Sequence, residues 1–164
     1  IFHKYTDRVK MTNIAQIANV LQSMILTKDD KMVLTPTYHV FEMYNVHQDA
    51  TFLPADLQCT YKNVRDKRNI PLISSTASRD KEGRIHVSIS NVSLDEAAEV
   101  TVNLEGVNGK QVSGRILTAD KIDDYNTFDN PDKVAPQPFK DVKIEKGSLL
   151  VKMPAKSIVV LEIN

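Results

Sequence analysis

Four side-chain amides, Asn13, Gln16, Asn19 and Gln22, recur at intervals of three in a stretch, Met11 to Thr27, that carries no charged residue. An amide offers two N–H donors and a carbonyl acceptor, the groups that can hold the hydroxyls of a polar, uncharged ligand such as a sugar. Buried without a partner, each costs about 1–3 kcal/mol. Such amides therefore either bond backbone and neighbouring loops, or one of them reaches a cleft and binds ligand. Other chemistry has less to stand on. Glycoside hydrolysis and much acid–base work need two carboxylates, but Asp29-Asp30, Glu96/Glu99 and Asp123-Asp124 fall in turns or at strand ends and read as solvated charges. There is no Gly-x-Ser-x-Gly elbow, P-loop or Gly-rich dinucleotide turn in a chain with five glycines. His3, His39, His47 and His86 never share a helix face at metal-ligand spacing, and Cys59 alone gives neither an internal disulfide nor a Cys-based zinc site. No catalytic residue, cofactor or metal is assigned. Cys59 is expected as a small core residue of a strand, and His86, alternating with Ile85, Val87 and Ile89, as a surface-facing one. Asn91-Val92-Ser93 fits the N-glycosylation sequon, a signal of little weight by itself.

The elements that position these residues change period along the chain. From Asp7 to about Leu26 apolar residues recur at three and four (Val9, Ile14, Ile17, Ala18, Leu21, Met24, Ile25), which predicts a helix. Without charge on any face, that helix should be covered by protein on most sides, while its polar residues exclude a membrane span. Lys28-Asp29-Asp30-Lys31 reads as a turn and Met32-Val33-Leu34 as an apolar connector. Thr35-Pro36 marks an N-cap with proline at the first helical position, opening a short helix through Tyr38, Phe41, Met43 and Tyr44. After Gln48-Asp49 the period becomes two. Strands are expected over 57–61, 70–78, 84–90, 99–104, 112–118, 142–145, 148–153 and 157–163, with turns at Lys81-Glu82-Gly83, Val107-Asn108-Gly109 and Glu145-Lys146-Gly147. Short strands, tight turns and no intervening helices predict an antiparallel β-sandwich. The Pro-rich stretch Asp120–Asp141 is a long loop, expected to be functional or packed on a neighbour.

Composition narrows the partners. Lys+Arg and Asp+Glu number 21 each in 164 residues, so no net field steers the chain towards nucleic acid or an anionic membrane surface. Hydrophobic residues at 41% and charged residues at 26% suit a globular domain with a real core. The opening Ile1-Phe2-His3-Lys4 has neither an initiator Met nor a signal-peptide pattern, and reads as the start of a piece cut from something longer. The compartment stays open.

Thr6–Gln22 resembles the end of the catalytic barrel in glycoside hydrolase family 51, the α-L-arabinofuranosidases, and Leu34–Tyr44 is similar to that family's following segment. Tyr125–Val134 and the closing Pro154–Leu161 are similar to its C-terminal sandwich. The resemblance implies a mainly β fold: a jelly-roll-like antiparallel β-sandwich over residues 49–164. Residues 1–48 form its N-terminal helical appendage, taken from the end of a (β/α)8 barrel. It also implies removal of terminal arabinofuranosyl groups with retention, by a Glu acid/base that follows an Asn and a separate Glu nucleophile. Those carboxyls sit about 5–5.5 Å apart so that one attacks C1 while the other protonates the leaving oxygen. No Asn-Glu dipeptide occurs here, and a barrel needs about 250 residues, so both glutamates are expected upstream of Ile1 and this piece alone should be inactive. One family position falls inside the chain. The arabinose-binding Gln matches Gln16, in Ala15-Gln16-Ile17-Ala18-Asn19-Val20, while Asn13, Asn19 and Gln22 keep structural roles.

The partners implied are the catalytic barrel of the parent enzyme, an arabinose-containing oligosaccharide held by that enzyme, and further copies of the same protein. The rivals are a self-standing carbohydrate-binding module and a protein-interaction sandwich. The first is disfavoured by the lack of Trp and by 6% aromatics, mostly within the first 61 residues.

Overall fold

The computed structural model describes residues 1–64, 68–107, 109 and 111–164. In chain order it has a 3-10 turn (Phe2–Tyr5), β1 (Ile25–Lys28), β2 (Lys31–Leu34), α1 (Pro36–Tyr44), a second 3-10 turn (Asn45–His47) and β3 (Thr51–Leu53). There follow β4 (Tyr61–Val64), β5 (Arg68–Pro71), β6 (Ile73–Arg79), β7 (Ile85–Asn91), β8 (Ala98–Asn103) and β9 (Val112–Thr118). The chain closes with β10 (Gln137–Pro138), β11 (Val142–Glu145), β12 (Ser148–Met153) and β13 (Ser157–Ile163). The fold is mainly β, with antiparallel strand pairs and one short α-helix, as the periodicity predicts.

Two sheets face each other. One runs β10-β9-β13-β7-β6-β3 and the other β11-β12-β8. Alternation decides which residues meet. The register places Ile73, Ala77, Val87, Ile89, Val159, Leu161 and Ile116 on the inner face of the large sheet. Opposite them stand Leu149, Val151 and Met153 of β12 with Val100, Val102, Val142 and Ile144, in one continuous apolar cluster. Each fully buried aliphatic there contributes roughly 1.5–3 kcal/mol. Gly114 belongs to this packing: a Cβ at that position would stand 2.8 Å from Leu161 Cδ2 and 3.3 Å from Phe139, so glycine is what lets Phe139 close the core.

The outer face of the large sheet is roofed. Thr35 caps α1 by accepting from the Tyr38 N–H, and Pro36 follows it. The helix then lays Met43 and Val40, joined by Val134 of the long loop, on Leu117 and Val160. Arg115 of β9 donates both guanidinium arms to Glu42, at 2.7 and 2.9 Å. Beside this apolar patch His47 sits over a row of hydroxyls, Nδ1 2.7 Å from Ser78 Oγ and Nε2 2.6 Å from Ser88 Oγ. His3 follows it, Nδ1 3.0 Å from Thr76 Oγ1, with the two imidazoles 5.0 Å apart. Burial, with His3 and His86 near, pushes the His47 imidazole down to about 4 from its usual 6.5. The fold thus favours neutral His47, while the unfolded chain takes up its proton near 6.5. This contribution to stability is complete above 6.5 and is lost as the pH falls towards 4. The melting temperature is therefore expected to drop across that window, and His47→Gln to flatten the slope; an unchanged slope would remove His47 from this role.

The long loop packs on a neighbour, as expected. Asn126, buried, donates through Nδ2 to Leu34 O (2.8 Å) and Val134 O (2.9 Å) and accepts at Oδ1 from Val134 N (2.7 Å). Asp124 is not a plain solvated charge: it pairs with Lys133 at 2.6 Å and accepts from Lys121 N.

Four expectations are corrected. No helix forms over Asp7–Leu26; the segment is turns and irregular arm, joined to β1 by a parallel bridge between Ala18 and Ile25. Asn19 (φ 58°) and Gln22 (φ 64°) lie in the left-handed region, which a right-handed helix cannot contain. Residues 57–60 form no strand; pairing begins at Tyr61, and Met32–Leu34 is a strand rather than a connector. His86 does lie on the outer face, but it is 3% exposed because that face is covered. Of the expected turn at 107–109, Asn108 lies outside the described residues.

Candidate functional site

The arm between the first 3-10 turn and β1 ends in a tied loop. Ile17 O accepts from both Met24 N (2.9 Å) and Ile25 N (3.1 Å), and Asn19 N donates to Ile25 O (3.1 Å). The Asn19 side chain adds two bonds to Thr27, Nδ2 to Oγ1 and Thr27 N to Oδ1, both at 2.8 Å. On the far side the loop is anchored through buried Ser23, whose carbonyl accepts from Thr35 Oγ1 at 2.7 Å. The same hydroxyl caps α1, so arm and helix share one anchor.

Gln16 stands immediately before this tie. It is exposed, and its amide has no hydrogen-bond partner among the described residues. Apolar residues of the same arm are exposed as well: Met11 at 77%, Ile17 at 63% and Leu21 at 92%. An exposed, uncharged amide can donate to and accept from hydroxyls, and it brings no charge to compete with a nearby acid.

The structure separates the four amides. Asn19 is the tie, Gln22 takes a left-handed turn position, and Asn13 and Gln16 are exposed. Among the described residues no second polar cluster converges on Gln16. Cys59 packs partly buried against the core with Sγ 3.7 Å from Ile73 O, though in a loop. Asn91 of the sequon is 3% exposed and donates to Glu96 O and Pro154 O, both at 3.0 Å, so its amide nitrogen is spent inside the fold. The sequence reading misses Asp80, whose carboxylate accepts from Arg84 Nε (2.7 Å) and lies 3.0 Å from His86 Nε2. The His86 contact, then those of Arg84, hold Asp80 down to about 2. The Asp-x-x-Gly spacing of Asp80 and Gly83 was its signal: Oδ1 accepts from Glu82 N and Arg84 N, closing the β6–β7 turn.

A family model described as the alpha-L-arabinofuranosidase C-terminal domain matches residues 1–157. The chain belongs to this family. An intracellular exo-alpha-L-arabinofuranosidase of Bacteroides ovatus is 63% identical over 164 residues, all of this chain and 32% of that protein. The structure of a family 51 arabinofuranosidase from Xanthomonas axonopodis pv. citri superposes with a TM-score of 0.95 at 44% identity, covering 99% of this chain and 33% of that one. A thermostable family 51 α-L-arabinofuranosidase from Thermotoga petrophila shares the fold, with a TM-score of 0.85 at 23% identity over 98% of this chain and 35% of its own. This C-terminal domain therefore spans about a third of the relatives it matches, and the arm with Gln16 lies within the matched region.

Proposed function

We propose that the chain works as the C-terminal part of a retaining exo-α-L-arabinofuranosidase, carrying no catalytic carboxylate itself and lending its arm to the sugar site of a catalytic barrel. The observation that carries this reading is the arm. Met11, Ile17 and Leu21 are largely exposed on the same arm as an unpartnered Gln16, in a stretch with no charge from Met11 to Thr27. Leaving such side chains in water costs roughly 1.5–3 kcal/mol each, and the barrel of the same polypeptide is the surface that removes the cost. The identity to whole arabinofuranosidases over the full chain supports that occupant.

Docked there, the arm presents Gln16 to an arabinofuranosyl hydroxyl. Attack at C1 and protonation of the leaving oxygen fall to the barrel's carboxylates. The contribution of Gln16 is orientation, with a hydrogen bond that tightens as the ring flattens towards the oxocarbenium-like state. On this reading the arm before Thr35 belongs with the barrel, while α1 and the turn after it stay with the sandwich of residues 49–164 that covers the barrel's flank, and copies of the whole enzyme associate through these outer parts.

The test is direct. The polypeptide containing this chain behind its barrel is expected to release arabinose from an aryl α-L-arabinofuranoside, and residues 1–164 alone to release none. Turnover by the pure 164-residue chain, or none by the longer polypeptide, would overturn the proposal.

A further inference from the structure

The tied loop assigns a job to Asn19 that its sequence position does not suggest. Ile17 and Leu21 are too exposed for burial within this chain to hold the loop's shape; hydrogen bonds hold it instead. Three of those bonds belong to Asn19: its own N–H to Ile25 O, Nδ2 to Thr27 Oγ1, and Oδ1 from Thr27 N. Its φ of 58° is a conformation in which most L residues are strained and Asn is among the best tolerated. One side chain thus supplies both the backbone bend and the clamp, three residues from Gln16.

We infer that Asn19 is a positioning residue for Gln16: it fixes the loop 17–25 before ligand arrives, so that the Gln16 amide meets the sugar without first having to be ordered. This inference rests on the proposed role of Gln16. Ordering a side chain or loop at the moment of binding subtracts from affinity, and a small misplacement of a contact subtracts from rate. Within this chain the clamp packs none of the sandwich core, so removing it should leave the sandwich's own stability nearly intact.

The experiment uses the full-length enzyme and an aryl α-L-arabinofuranoside. Asn19→Gly keeps the left-handed backbone and deletes the clamp. Asn19→Asp keeps the acceptor for Thr27 N, and the Thr27 hydroxyl can turn to donate to the second oxygen. Asn19→Gly is expected to lower kcat/KM about three- to tenfold with the melting temperature within about two degrees of the parent. Asn19→Asp should recover most of that loss. In a Gln16→Ala background Asn19→Gly should cost nothing further, because its effect runs through Gln16. Parental kcat/KM in Asn19→Gly, full additivity with Gln16→Ala, or a melting temperature lowered in step with activity would each overturn the inference. If Gln16→Ala is itself silent, the role of Gln16 fails and the positioning role with it. If Gln16→Ala costs activity and Asn19→Gly does not, only the positioning role fails.

Discussion

Gln16→Ala in the full-length enzyme is expected to lower kcat/KM for arabinofuranosides about ten-fold or more while the melting temperature moves by only a few degrees. The exposure of Gln16 within this chain is what separates the two readouts. Within this chain Gln16 contributes no core packing, so its removal leaves no cavity in the sandwich. A neutral hydrogen bond to ligand contributes about 0.5–1.5 kcal/mol net, and more when it strengthens in the transition state. If the bond tightens as the reaction proceeds, kcat falls along with kcat/KM; if it is uniform, the loss appears in KM alone. Gln16→Glu should also be harmful, since a third carboxylate beside two catalytic ones disturbs which of them holds the proton. Steady-state kinetics with thermal melts on the same preparations decide it. A variant that melts much earlier yet turns over at the parental rate would make Gln16 a packing amide at the arm–barrel contact.

Asn126→Ala is expected to produce the largest loss of stability of any polar substitution considered for this chain. The amide makes three bonds, and its removal strands Leu34 O, Val134 O and Val134 N in a region where Asn126 itself is 2% exposed. Buried backbone groups left without partners cost about 1–3 kcal/mol each, which brings the total to about 3–5 kcal/mol after water takes up part of the deficit. Asn126→Asp should be almost as damaging, because it retains the acceptor for Val134 N but loses both donations. Denaturant unfolding of each variant measures the loss. A midpoint within error of the parent would mean that water replaces all three bonds.

What could be read from residues alone follows from where contacts are local. β9, β11, β12 and β13 fall where the pattern places them, because each is a short run rich in apolar and β-branched residues bounded by turns, whether one of its faces is covered or, as in β13, both. Lys146 and Gly147, both at positive φ, supply such a turn between β11 and β12. The mainly β class follows from the same pattern. The N-terminal arm did not yield to this reasoning. Its apolar residues recur at helical intervals, but that spacing does not by itself fix a helical backbone. Only the left-handed Asn19 and Gln22, which no periodicity reports, rule the helix out. His86 escaped for a related reason. Alternation gives the face of a strand, but whether that face meets water depends on α1, the His47 turn and the first residues arriving from elsewhere. The candidate site was legible as a list of amides and not as an arrangement. Which amide ties the loop and which stays open depends on bonds between residues 17 and 27 that spacing does not encode.

The roof over the large sheet has a practical side for anyone building chimeric enzymes. β3 opens at Thr51, so a swap junction drawn just before it looks natural. Such a cut would strip Met43 and Val40 from Leu117 and Val160, unpair Arg115, and leave Ser78 and Ser88 without His47. A transplanted sandwich therefore has to travel with α1 and the turn that follows it. Thr35 should go with them too, because its hydroxyl is where helix and arm are fastened together. A donor sandwich grafted with residues 35–48 attached would bring its own lid, and the recipient barrel would need to match only the arm.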